Sequence, residues 1–325
     1  MNRLLVFLVV LTVVGAAGCS TEGEGSSDDV VAVAGTVDLS GTEVEVVLPS
    51  GVFTFTITEP RDVVPAEDAG DDAEHEAPEG QAYVGLGWAQ SGTAPAFGPI
   101  LHGTTPQKGT VRVRSGDDVL DALTVDTQKS SGEGAWVLVP EDLADVVAEI
   151  AYDGQVQTLD LADAVVEQGA AAGLYDIATL PTDCPDARET GATLRYAIDC
   201  TTSAATPTPY VADLGWASEG EGWLVLDLTL QPSGFQWSNG NDSGRFTVEA
   251  QRGDLGAAQV LASSDLPADG YAATIAVPAK VGAPTTLSLT RTYDLTRSGS
   301  GSGPATSRAE YTASLQLPAL PGKDN

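Results

Sequence analysis

Gly51-Val-Phe-Thr-Phe-Thr-Ile-Thr58 is the stretch whose reading decides the fold. Phe53, Phe55 and Ile57 alternate with Thr54, Thr56 and Thr58. A repeat of two places the apolar residues on one face of an extended chain, the pattern of a half-buried strand. Outward from it the same alternation recurs. Thr42–Leu48 carries Val44, Val46 and Leu48 on one parity, and Thr110–Arg114 alternates valine with arginine. Trp223–Leu230 places Leu224, Leu226, Leu228 and Leu230 together. Thr285–Leu295 does so with Leu287, Leu289, Tyr293 and Leu295, and Tyr311–Leu317 alternates again. Gly, Pro, Asp and Asn fill the gaps, as turns require. Helical spacing is confined to Pro140–Val147, which predicts a short turn of helix, and Asp160–Gln168, which predicts a short connecting helix. The chain is therefore expected to be all-β.

Three landmarks recur in the same order. Phe53–Pro60 lines up with Thr193–Cys200, Tyr83–Ser91 (with Gly87-Trp88) with Val211–Glu219 (with Gly215-Trp216), and Trp136–Pro140 with Thr274–Pro278. The last pair leads in each case into a strand carrying Tyr-Asp, at Tyr152-Asp153 and Tyr293-Asp294. This predicts two copies of one β domain, over residues 30–168 and 174–320, with a boundary near Gly169–Gly173. Trp88 and Trp216 are expected to pack alike in each copy. Short strands in two such units predict two tandem β-sandwiches. A strand, a long polar loop, a strand after Gly-Trp and a Val-Pro leading to Tyr-Asp resemble the telokin-like, immunoglobulin-type domains of bacterial surface lipoproteins. That resemblance implies fold and place rather than an activity.

The chain opens MNRLLVFLVVLTVVGAAGCS. Arg3 precedes an apolar run, Leu4–Val14, and the small residues Gly15–Gly18 lead directly into Cys19. This is the layout of an export signal, and the run is short of the ~20 apolar residues of a membrane span. Small residues ending at a cysteine resemble the lipobox of bacterial lipoproteins, with Ala16 where that family most often has Leu. The resemblance implies cleavage after residue 18, a lipid on Cys19 and attachment to the outer face of the cell membrane. Residues 19–29, rich in Ser, Gly and acids, read as a flexible tether.

Composition limits the partners. The 325 residues carry 46 acidic and 15 basic side chains, a formal charge of −31. Nucleic-acid binding needs clustered Lys and Arg, and no basic stripe is present. With Cys19 assigned to lipid, Cys184 and Cys200 remain, and outside the cytoplasm an even remainder reads as a disulfide. Ala66–Gly80 holds seven acids and His75 without a bulky apolar side chain, and reads as an exposed, disordered loop. Clustered carboxylates suit Ca²⁺, but this segment lacks EF-hand spacing, so neither metal nor cofactor is expected.

Catalytic motifs are missing from the sequence. His75 and His102 are the two histidines, and no nucleophile elbow, zinc-protease helix or phosphate loop occurs. Ser298–Gly303 reads as a Ser/Gly linker between two strands. The expected role is thus non-catalytic recognition or assembly at the cell envelope, with an envelope protein as partner. The alternative is a ligand-binding lipoprotein that captures a carbohydrate or a divalent cation. Its candidate residues are Phe235, Trp237, Asn239 and Asp242 in the turn-rich stretch Gly234–Gly244, where aromatics beside amides suit stacking and hydrogen bonding.

Overall fold

A computed structural model describes residues 30–32, 34, 39–92, 109–125, 133–190, 193–240, 242–299 and 303–322. The export signal, Cys19, the tether, His102 and Asn241 lie outside the described residues. Among those described, the chain is almost entirely antiparallel β-structure, and no helix is long and apolar enough to cross a membrane.

The first half contains β1 (Val30–Ala32), β2 (Thr42–Leu48), β3 (Gly51–Ile57), β4 (Val63–Val64), β5 (His75–Glu76), β6 (Gln81–Gly92), β7 (Gly109–Ser115), β8 (Asp118–Val125), β9 (Glu133–Pro140), β10 (Val146–Tyr152), β11 (Gln155–Asp160) and β12 (Val166–Glu167). Ten of them form two five-stranded sheets, ordered β1-β9-β6-β3-β2 and β12-β11-β10-β7-β8, and β4 pairs with β5 in a sheet of two. Phe53, Phe55 and Ile57 of β3 are buried, as their alternation requires, while the intervening threonines are half-buried. They share one core with Val84 and Leu86 of the same sheet and with Val111, Val113, Ile150 and Tyr152 of the other. Two apolar faces closed on each other make this a sandwich. Asp153 and Gly154, both at positive φ (47° and 80°), close the two-residue hairpin between β10 and β11. Asp-Gly is the sequence such a turn selects, because its twist matches that of the strands.

The second half contains β13 (Ala187–Thr190), β14 (Leu194–Thr202), β15 (Thr206–Thr208), β16 (Tyr210–Val211), β17 (Gly215–Trp216), β18 (Glu221–Asn239), β19 (Asp242–Asp254), β20 (Gln259–Leu266), β21 (Gly270–Lys280), β22 (Thr285–Ser298) and β23 (Thr306–Leu317). Leu224, Leu226, Leu228 and Leu230 of β18 pack with Ile275 and Val277 of β21. They share that core with Leu287, Leu289, Tyr293 and Leu295 of β22. The end of β18 continues past Gly234, at φ 68°, to pair with β19, so that β13, β14, β15 and β18 to β23 form one nine-stranded sheet, with β16 and β17 paired apart from it.

Pairing in the second half repeats that of the first. The ladders β3·β6, β6·β9, β7·β10 and β10·β11 correspond to β14·β18, β18·β21, β19·β22 and β22·β23. The alignment of Trp136–Pro140 with Thr274–Pro278 keeps the inward residues in step: Ala135, Val137 and Val139 answer Ala273, Ile275 and Val277. The other two landmarks need correction. Aligning Phe53 with Thr193 sets the inward face of β3 against the outward face of β14, whose buried residues are Ile198 and Cys200. Trp216 belongs to a separate small hairpin before β18, so it has no counterpart role to Trp88. Traced through the ladders, Trp88 pairs with Phe55 as Leu230 pairs with Cys200.

Both expected helical segments are absent. Pro140 closes β9, a tight turn follows, and β10 begins at Val146. Residues 160–168 form a turn and the short β12, with a 3-10 turn over Gly169–Leu174 just beyond. Ala66–Gly80 is likewise folded. β4 and β5 pair within it and around its start, and Ala69 is fully buried against Trp136 and Tyr83 on the outer face of β9 and β6. The Trp136 indole donates to the Asp68 carbonyl at 3.2 Å, and Arg61 pairs with Asp68 at 3.0 Å. Small apolar residues supply the anchoring that the acidic composition concealed.

Candidate functional site

The four candidate ligand residues of the second half do not form an exposed loop. Gly234–Gly244 is the tip of the β18–β19 hairpin, with Asn239 opposite Asp242 across the turn. Phe235 is buried in the core between Tyr196 and Tyr293, with ring centroids 5.6 and 5.4 Å away. The even-numbered residues of β18 face the core as far as Pro232, and the irregularity at Ser233-Gly234 reverses that parity and turns the Phe235 ring inward. Trp237 is half-buried and lies against Gly303, where an added Cβ would come within 2.6 Å of the indole. Asn239 and Asp242 are exposed at the tip.

Cys184 and Cys200 form a disulfide with a Cα–Cα distance of 5.5 Å, within the usual range. Both sulfurs are buried in the second core, beside the Tyr311 hydroxyl, which donates to the Pro185 carbonyl at 2.8 Å. In the acidic segment, His75 Nε2 lies 3.1 Å from the Asp71 carboxylate. This hydrogen bond holds the Asp71 carboxyl below its ordinary value. Among the described residues, no group of three or more His, Cys, Asp or Glu side chains is placed to hold a metal ion.

The strongest concentration of unspent chemistry is a cleft of about 190 Å³ in the second half, lined from β18, β19, β21, β22 and the β19–β20 turn. Its walls include Leu230, Leu255, Ala258, Tyr271, Leu289 and Arg291. Arg291 occupies an inward position of β22, between Leu289 and Tyr293, and is only 8% exposed. Its guanidinium lies 3.9 Å from the centroid of the Tyr271 ring. Gly253 is directly across the ladder from it, and a Cβ there would come within 2.9 Å of Nη1 and 3.1 Å of Cδ. The missing side chain makes the space in which the guanidinium lies flat. The Nε atom is buried without a hydrogen-bond partner, and no carboxylate is within ion-pair distance of Arg291 among the described residues. Tyr293 is the next inward residue of the same strand. Burial pushes its hydroxyl up to about 12, while the Arg291 charge acts in the opposite direction.

A signal for Arg291 exists in the sequence. Leu287, Leu289, Tyr293 and Leu295 fix the inward parity of the strand, and residue 291 shares that parity. A cation on the apolar face of an alternating strand is the exception that parity exposes. Gly253 gives no such signal, since its place opposite Arg291 depends on strand register.

Comparisons with protein-family models, with curated proteins and with solved structures find no match to this chain. Its reading therefore rests on the residues and their arrangement.

Proposed function

We propose that this chain is a lipid-anchored extracytoplasmic protein whose β-sandwiches act as a non-catalytic recognition or assembly module at the bacterial cell envelope. One observation carries the reading: an apolar run, Leu4–Val14, passes through four small residues directly into Cys19. Lipidation would place the two sandwiches outside the membrane on the tether of residues 19–29. The Cys184–Cys200 disulfide supports the same compartment, because such bonds persist where thiols are oxidised. The large acidic excess suits a soluble domain held away from an anionic bilayer.

The test is expression of the full chain in a bacterium with fractionation and mass spectrometry of the N-terminal peptide. The wild type is expected in the membrane with a diacylglyceryl group on Cys19. Cys19→Ser is expected either to leave the membrane or to keep its signal. A processed, unmodified N-terminus with unchanged membrane partition would defeat the proposal.

A second reading, capture of a carbohydrate or a divalent cation, is favoured by the exposed Asn239 and Asp242 beside half-buried Trp237. Loss of ligand binding in Trp237→Ala would support it.

A further inference from the structure

We propose that the cleft at Arg291 is a binding site for a small monocarboxylate with a short apolar tail. The inference does not depend on the lipid anchor or on the hairpin tip.

The first argument is energetic. A buried guanidinium without a carboxylate partner is costly relative to an apolar residue. Stacking on Tyr271 offsets part of that cost but leaves Nε without a hydrogen-bond partner. The equivalent place in the first half shows the apolar solution. Aligning Tyr152-Asp153 with Tyr293-Asp294 sets Ile150 against Arg291. Ile150 is fully buried and sits across from Val111, where Arg291 sits across from Gly253. One half thus fills this position with an Ile–Val pair, and the other carries a cation with a glycine that accommodates it.

The second argument is chemical. Arg291 lines the cleft with one face of its guanidinium against the Tyr271 ring, and its buried Nε has no hydrogen-bond partner. A fork of N–H groups matches the two oxygens of a carboxylate. Leu230, Leu255, Ala258 and Leu289 give the rest of the cleft an apolar lining, which suits a hydrocarbon tail. The volume of about 190 Å³ is below the ~300–1,000 Å³ of pockets for drug-sized ligands, so the occupant is small. A phosphate would bring a second negative charge to a site with a single cation, with Asp254 on its wall, in a chain of formal charge −31. The charge count selects a monoanion.

Equilibrium dialysis of the full-length protein in detergent, with radiolabelled butyrate as probe, tests the assignment. Saturable binding is expected for the wild type. It should be lost in Arg291→Met, which keeps the volume of the side chain, and weakened in Gly253→Ala, which keeps the charge but crowds the guanidinium. Unlabelled butyrate should compete, whereas butyramide and inorganic phosphate should not. Circular dichroism and the urea midpoint identify any variant that has not folded, and Gly253→Ala then carries the test alone. Absence of saturable binding by the wild type at ~10 mM butyrate, well past a weak millimolar affinity, overturns the proposal. So does binding that persists in folded Arg291→Met, or competition by phosphate as strong as by butyrate.

Discussion

The indole Nε1 of Trp216 donates to the backbone carbonyl of Tyr152 at 3.1 Å, joining a hairpin of the second half to the core of the first. Tyr210, at the other arm of that hairpin, is 1% exposed and belongs to the first core, edge-on to Tyr152 at 5.7 Å and 4.9 Å from the Trp216 ring. Gln157 extends the junction. It donates to the Val47 carbonyl at 2.8 Å and accepts from the Tyr175 hydroxyl at 2.5 Å. The two sandwiches are thus joined by shared aromatic packing as well as by chain.

Trp216→Ala removes this hydrogen bond and part of the aromatic packing. A loss of about 2–4 kcal/mol is expected, near the lower range of large-to-small core substitutions because Trp216 is half-buried. Urea unfolding is the measurement. A single transition in the wild type should shift to lower urea or split in two as the halves uncouple. An unchanged curve would show that the junction contributes nothing to stability.

The Cys184–Cys200 bond closes a loop with a sequence separation of 16. In the chain-entropy account a loop of that size contributes about 3 kcal/mol. Reduction, or replacement of both cysteines by alanine, should lower the melting temperature by several degrees. Scanning calorimetry with and without reductant reads the effect. Equal melting temperatures in the two conditions would remove the disulfide from the account of stability.

Alkaline pH should destabilise the fold, through Tyr293 and Tyr311 in the second core and through Tyr210 in the first, whose hydroxyl burial also raises. Burial pushes the hydroxyls of Tyr293 and Tyr311 up to about 12 from an ordinary value of 10.0. The folded state therefore holds these protons more tightly than the unfolded chain. That contribution is fully present below pH 10 and is lost as the pH rises through about 12. Urea midpoints measured across this window should fall steeply in the wild type and less steeply in Tyr293→Phe. Parallel slopes for the two proteins would contradict the assignment.

Strand alternation was legible because it is local. Phe53, Phe55 and Ile57 of β3 and the four leucines of β18 declare their face within a few residues. The disulfide was legible by elimination, since two cysteines remain once Cys19 is set aside. What failed depends on partners distant in the chain. Phe235 stands in a stretch of turn-forming residues, and the bend at Gly234 reverses the inward parity of β18 so that this odd-numbered residue meets the core. The acidic segment hid its anchors, because Ala69 and Ala77 are small and their partners Trp136 and Tyr83 lie on other strands. Trp216 resembles Trp88 in its Gly-Trp context, yet its surroundings are set by Tyr152 and Tyr210.

The placement of Tyr210 also bears on how the chain is made. Synthesis runs from the N-terminus, and domains generally close as they are completed. Here every strand of the first sandwich has been made by Glu167, yet the ring that closes its core arrives with Tyr210 and is pinned by Trp216. A chain interrupted between those points holds a nearly finished barrelless shell with an open aromatic socket, so the nascent first half stays exposed until some fifty residues more have emerged, roughly several seconds at ~5–20 residues per second.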